Sequence, residues 1–213
     1  QQAGHHIDVD FRLKKSFEAK GLNAHYFDSS QPMESSYDAL FSVGGDGTLL
    51  RTIPFIHNSG VPILGINTGR LGFLTSLQKE SLEKGLRLFF DGNYQLISRS
   101  LIEVKTDIAV EAITDFGYAL NEVTLIRKNT TSMLNIETEI DGKELTTYWA
   151  DGLIIATPTG STGYSLSNGG PILSPQTESF VLNPIAPHNI NMRPLVLPDS
   201  ICITIRVNGR GTH

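Results

Sequence analysis

The apolar run YDALFSV passes directly into GGDGT, and an amphipathic stretch, LLRTIPFIHNSG, follows without a spacer. A strand-length run, a glycine-dense turn and a helix-like run in immediate succession constrain the fold strongly. The backbone must turn tightly off a strand and into a helix, as it does in alternating strand–helix architectures. The flanks continue the pattern. FRLKKSFEAKG (11–21) reads as a helix with Phe11, Leu13, Phe17 and Ala19 on one rough face and Gly21 as its stop. LNAHYF and YDALFSV read as strands, LLRTIPFIHNSG as helical despite Pro54 and ended by Gly60, VPILGI as a buried strand and ESLEKGLRLFFDG as a further helix. Such alternation predicts a parallel sheet with helices on its faces.

The texture changes near Ser98. From there SLIEVKT, FGYALNEVTLIR, LNIETEIDGKEL, DGLIIATP and SICITIRVNG all have strand length, and the Asp-Gly pair of IDGKE suits a tight hairpin. The expectation is an α/β N-terminal domain over residues 1–97 and a β-rich C-terminal domain over 98–213. The 213 residues carry 39% hydrophobic and 18% charged side chains, the make-up of an ordinary soluble globular chain. A net charge of −5 argues against a broad basic face for duplex nucleic acid. The single cysteine, Cys202, allows no internal disulfide and suits a reducing cytoplasm; it reads as a small core residue of ICITI. No apolar stretch has membrane-spanning length. Both ends, QQAGHHIDVDF and RVNGRGTH, look cut.

Gly44, Gly45 and Gly47 let backbone N–H groups approach phosphate oxygens and permit positive φ. Thr48 is placed to cap the next helix. Asp46 is the odd member, because a carboxylate repels phosphate. It could bind Mg²⁺ or orient a hydroxyl for attack on phosphorus. A plain strand-to-helix turn is the other reading, since Gly-Gly and Asp-Gly are common turn pairs. The stretch is neither a P-loop nor a G-x-G-x-x-G dinucleotide fingerprint.

Three further stretches stand out. LNEVTL puts Asn121 and Glu122 inside a strand-like run, where an isolated pair is usually an edge or turn feature. ADGLIIATPTGSTGYSLSNGGP (150–171) opens with Asp151 and becomes dense in hydroxyls and glycines, which donate and accept hydrogen bonds while letting a flat ligand reach the main chain. INTGRLGFLT offers Phe73 beside Gly72, either as a core residue or as a cover for a ligand ring. His5 and His6 lack a partner at metal-ligand spacing and read as surface residues.

In combination, GGDGTLLR, LGINTGRLGFLT, LNEVTL, DGLIIATPTGSTGYSLSNGGPIL and APHNINMRPLVLP resemble the NAD kinase family from about Leu40 to Pro198. GGDGT alone would reach a wider superfamily of lipid kinases and phosphofructokinases. Lipid kinases usually place Glu-Val shortly after the threonine, where this chain has Leu49-Leu50-Arg51.

The resemblance implies the NAD kinase/diacylglycerol kinase-like fold with the active site between the two domains. It implies transfer of phosphate from ATP to the 2′-hydroxyl of the adenosine ribose of NAD, a phosphotransferase reaction on an alcohol group. It also implies a divalent metal, usually Mg²⁺, and a homo-oligomer, a dimer or tetramer. By the same resemblance Asp46 is the base, Gly44, Gly45 and Gly47 form the phosphate loop, and Arg51 is a basic group near the phosphates. Phe73 lies beside adenine, Asn121 and Glu122 bind adenosine, and Asp151 lies near the nicotinamide half. Thr162, Gly163, Tyr164, Ser165 and Ser167 contact the nucleotide. Trp149 and Ser132 stand where some bacterial members carry basic residues. The usual first and last segments of the family are also missing. The rival readings are a kinase of another alcohol or lipid, and a non-catalytic dinucleotide-binding protein.

Overall fold

Three parallel strands, Leu40–Gly44, Ile63–Asn67 and Leu77–Gln78, lie side by side in that order. They belong to the first of two compact units, Gln1–Tyr94 and Gln95–His213, of a computed structural model that describes residues 4–69, 72–128 and 132–208. Parallel neighbours need a crossover, and residues 45–62 supply it as two short helices, Asp46–Leu50 and Ile53–Ile56, instead of the single helical run the sequence suggests. Pro54 explains the break. It has no N–H to donate and fits only the first turn of a helix, where it is found. Thr48 lies inside the first of these helices and does not cap it; Gly45 is the N-cap, without a side-chain bond.

A second parallel pair joins Asp8–Asp10 to His25–Phe27. The helix expected over 11–21 is a 3₁₀ turn, Phe11–Leu13, followed by one α-helical turn, Lys14–Glu18. Phe11 and Leu13 are exposed, so the apolar face that suggested a longer helix is not buried. Gly21 follows in the left-handed region, with φ of 65°. Met33, Leu40, Phe55 and Val61 form a buried cluster, and the rings of Phe27 and Phe55 stack at 5.1 Å. The helix Leu82–Phe90 follows a 3₁₀ turn, and Phe89 meets Phe41 edge-on at 5.3 Å.

The second unit is built on antiparallel sheets. One runs Leu195–Pro198, Ser179–Ile185, Gly152–Ala156, Glu122–Ile126. Another runs Lys143–Ala150, Leu134–Ile140, Ile203–Asn208. The hairpin between 140 and 143 turns through Asp141 and Gly142 at φ of 49° and 74°, the left-handed pair that a two-residue turn matched to strand twist requires. Ile136, Tyr148 and Ala150 of one sheet share a core with Leu153, Ile155, Phe180 and Leu182 of the other. Ile154 and Ala156 point the opposite way and pack with Val181, Leu173 and Ile185. Gly152–Ala156 is therefore buried on both faces, as its unbroken apolar run suggests.

Several expectations are corrected here. SLIEVKT contributes only the two-residue strand Ile102–Glu103. The run 116–127 is two strands, Tyr118–Ala119 and Glu122–Ile126, and Asn121 sits at the bend between them, outside either strand. Cys202 is exposed and precedes its strand, its N–H donating to Asp141 Oδ1 at 2.9 Å, so it is not a core residue. Ser179–Ile185, almost wholly buried, was not marked as a strand by the sequence pattern.

Candidate active site

In the first unit the register pairs Gly44 with Asn67, so the glycine loop and the segment after Asn67 leave from the same end of adjacent parallel strands. The carboxyl end of such a sheet is the usual place for a ligand. Gly44 is the only glycine of the loop at positive φ (155°), and a Cβ there would fall 2.3 Å from Thr48 Oγ1. At Gly45 and Gly47 a Cβ would meet nothing within 4 Å. Among the described residues no contact demands glycine at those positions, which leaves room for close approach from outside. The Asp46 carboxylate accepts the N–H of Phe73 at 2.7 Å and that of Leu74 at 3.1 Å. Gly72 makes this possible, since a Cβ on it would lie 2.1 Å from Asp46 Oδ1. The Phe73 ring is 73% exposed, so it is not core. Arg51 is exposed and donates from Nε to the carbonyl of Gly47 at 3.2 Å.

In the second unit the hydroxyl-rich loop is pinned to the bend at Asn121. The Thr157 N–H donates to the Asn121 carbonyl at 2.9 Å, and Thr157 Oγ1 to the Leu120 carbonyl at 2.5 Å. Gly160 crosses so close that a Cβ would sit 2.0 Å from the Asn121 carbonyl oxygen, and one on Gly163 would sit 3.2 Å from Glu122 Oε2. Asn121 Oδ1 and Glu122 Oε2 are buried acceptors without a hydrogen-bond partner among the described residues. Burial pushes the Glu122 carboxyl up. Tyr164 is 40% exposed, Ser167 is exposed, and Thr162 donates to the carbonyl of Thr159 at 3.3 Å. Ser165 differs from these. It is fully buried, and its carbonyl and Oγ both accept from Asn183 Nδ2, at 2.9 and 3.2 Å.

The geometry leaves a general picture, a glycine loop with an acid in one unit and unsatisfied acceptors under a hydroxyl loop in the other. Comparison with known proteins narrows it. A family model for the ATP-NAD kinase N-terminal domain matches residues 10–94, and one for the C-terminal domain matches 120–213. An NAD kinase from Archaeoglobus fulgidus, solved in complex with ATP, is 33% identical with a TM-score of 0.70, over 92% of this chain and 75% of that one. The chain belongs to the NAD kinase family. Yeast NADH kinase, solved with NADH, has a TM-score of 0.80 at 29% identity, over 95% of this chain and 62% of its own. The NAD kinases of Flavobacterium psychrophilum and Bacteroides fragilis are 53% and 45% identical, over 86% and 83% of this chain. The chain spans 63% and 61% of the length of those two relatives.

Within this family member, the sequence motifs do not single out Arg127. It forms an ion pair with Asp151, Nη2 to Oδ2 at 2.9 Å, because Ile126 and Gly152 are register partners and the two residues follow and precede them. A basic residue just past LNEVTL, opposite an acid that opens the next antiparallel strand, was the available signal. Trp149 is 59% exposed with its ring edge-on to His188 at 6.0 Å; Ser132 is exposed. Among the described residues no group of three His, Cys, Asp or Glu side chains could hold a metal ion. No helix among them is long and apolar enough to cross a membrane.

Proposed function

We propose that the protein is an NAD kinase, transferring the γ-phosphate of ATP to the 2′-hydroxyl of the adenosine ribose of NAD to give NADP. The observation that carries this reading is Asp46, an acid held at the carboxyl end of a parallel strand between two glycines whose missing side chains no contact among the described residues explains. Family membership supplies the substrates.

In this reading Asp46 accepts a hydrogen bond from the 2′-hydroxyl and aims its oxygen in line with the γ-phosphorus. The new O–P bond forms as the bond from phosphorus to the bridging oxygen breaks, ADP leaves, and the hydroxyl proton passes late to Asp46. Phosphoryl transfer is loose, so orientation matters more than early proton removal. Gly44, Gly45 and Gly47 admit the phosphates, and Arg51 contributes positive charge. Phe73 covers the adenine. Asn121 Oδ1 and Glu122 Oε2, short of donors, take those of the adenosine. Thr162, Gly163, Tyr164 and Ser167 line the nucleotide, Asp151 serves the nicotinamide half, and Ser165 holds the loop from within.

A divalent metal such as Mg²⁺ would, when bound, supply positive charge that offsets the negative charge of the phosphates. Magnesium keeps much of its water and binds largely through substrate phosphates, which fits a chain with a lone carboxylate in its glycine loop. The assembly is a homo-oligomer working in the cytoplasm.

The test is incubation with ATP, Mg²⁺ and NAD, followed by assay for NADP. Formation of NADP that depends on ATP supports the proposal. Binding of NAD without turnover, or phosphorylation of a different alcohol or lipid in preference to NAD, rejects it.

A further inference from the structure

We infer that the backbone of Gly72, Phe73 and Leu74 is a positioning device for the Asp46 carboxylate; the inference rests on the kinase reading for the meaning of that acid. The N–H groups of Phe73 and Leu74 each take one oxygen of the same carboxylate, Oδ2 at 2.7 Å and Oδ1 at 3.1 Å, across 27 and 28 residues of sequence. Two donors on two oxygens fix both the side-chain rotamer and the rotation of the carboxylate plane, and each oxygen keeps a lone pair for a hydroxyl. The clamp is itself anchored. Leu74 is buried, Thr75 Oγ1 accepts from Asn67 Nδ2 at 3.2 Å, and the Ser76 N–H donates to the Gly65 carbonyl at 2.9 Å. These contacts tie the segment to the strand Ile63–Asn67, next to the strand that delivers Asp46.

Gly72 is the element that cannot change. A Cβ would fall 2.1 Å from Oδ1, 2.5 Å from Cγ and 2.7 Å from Oδ2 of Asp46. All three nearest atoms belong to the acid. The missing side chain makes room for that carboxylate. Phe73 divides its work. Its N–H holds the acid while its ring stands in solvent.

The two roles separate experimentally. In the whole chain, Gly72→Ala should lower kcat about 10- to 100-fold, the cost of misplacing a reacting group by about an ångström. The KM values for NAD and ATP should change much less than kcat, because most ground-state contacts lie away from the displaced carboxylate. Phe73→Ala keeps the N–H and should raise KM for NAD more than it lowers kcat. Against Asp46→Asn, adding Gly72→Ala should cost little further kcat, whereas a general structural defect would cost the same in both backgrounds. If wild type makes NADP and Gly72→Ala keeps full kcat, or loses it equally beside Asp46→Asn, the inference is overturned. A readout independent of turnover distinguishes failure of the kinase reading. The amide proton resonances of Phe73 and Leu74 should move upfield on Asp46→Asn, as charge-assisted bonds are replaced by weaker ones. An inactive wild type with that movement rejects the kinase reading and keeps the clamp. Unmoved resonances overturn the clamp whatever the activity.

Discussion

Arg127 and Asp151 meet across neighbouring antiparallel strands, with Nη2 2.9 Å from Oδ2 and about a quarter of each side chain exposed. The Arg127 N–H also donates to the Asp151 carbonyl at 2.9 Å, so main chain and side chain are joined at the same point. A pair at this depth contributes up to about 1 kcal/mol. Arg127→Ala, Asp151→Ala and the double variant, compared by urea denaturation, should give a coupling of about 0.5–1 kcal/mol. A coupling of zero would show that the pair is not formed in solution.

Glu122 predicts a pH effect. Burial holds its carboxyl above the ordinary 4.5. The folded state therefore binds more protons than the unfolded one just above that value, and stability falls as pH rises through the window. Glu122→Gln lacks the titration. Its stability relative to wild type should be greater at neutral pH than at about pH 4. Urea midpoints at the two pH values decide it, and a difference that does not change with pH would contradict the burial argument.

Gly160→Ala should destabilise the second unit. The new methyl would meet the Asn121 carbonyl oxygen at 2.0 Å, and that oxygen is already bonded to the Thr157 N–H. Overpacking against main chain costs about 1–3 kcal/mol. A melting temperature equal to wild type would mean that the loop relaxes freely.

Asp46→Asn keeps the size of the side chain and removes its basicity. Turnover should fall by about two powers of ten or more while NAD binding is retained. Steady-state kinetics with calorimetric titration of NAD measure both, and near-normal turnover would reject Asp46 as the acting group.

Tyr148→Phe should be harmless or mildly stabilising. The Tyr148 hydroxyl is buried with no hydrogen-bond partner among the described residues, and burial pushes the phenol up. Removing an unsatisfied polar atom leaves the packed ring in place. A loss of about 1 kcal/mol in thermal unfolding would show that the hydroxyl is satisfied after all.

The strands around the glycine loop were legible because their apolar runs end abruptly in glycine, and the Asp141–Gly142 turn because its dipeptide has few other uses. The bend at Asn121 was not. FGYALNEVTLIR reads as one continuous strand, whereas the bend at Leu120 and Asn121 is held by tertiary bonds from Thr157. Ser165 illustrates the same limit. A hydroxyl in a hydroxyl-rich loop looks like a ligand contact, and its bond to Asn183 depends on a strand far along the chain. The short first helix was misjudged because spacing alone cannot tell an apolar face that is buried from one left exposed, as Phe11 and Leu13 are. The clamp on Asp46 is made by main-chain atoms, which no side-chain pattern encodes.

The strand Gly152–Ala156 carries a wider implication. Leu153 and Ile155 belong to the core joining two sheets, while Ile154 and Ala156 support the layer reached by Leu173, whose N–H bonds Ser161 in the hydroxyl-rich loop. One ribbon thus serves as both keel and deck. Shaving a methyl from Ile154 would therefore disturb the packing that reaches the hydroxyl-rich loop through Leu173.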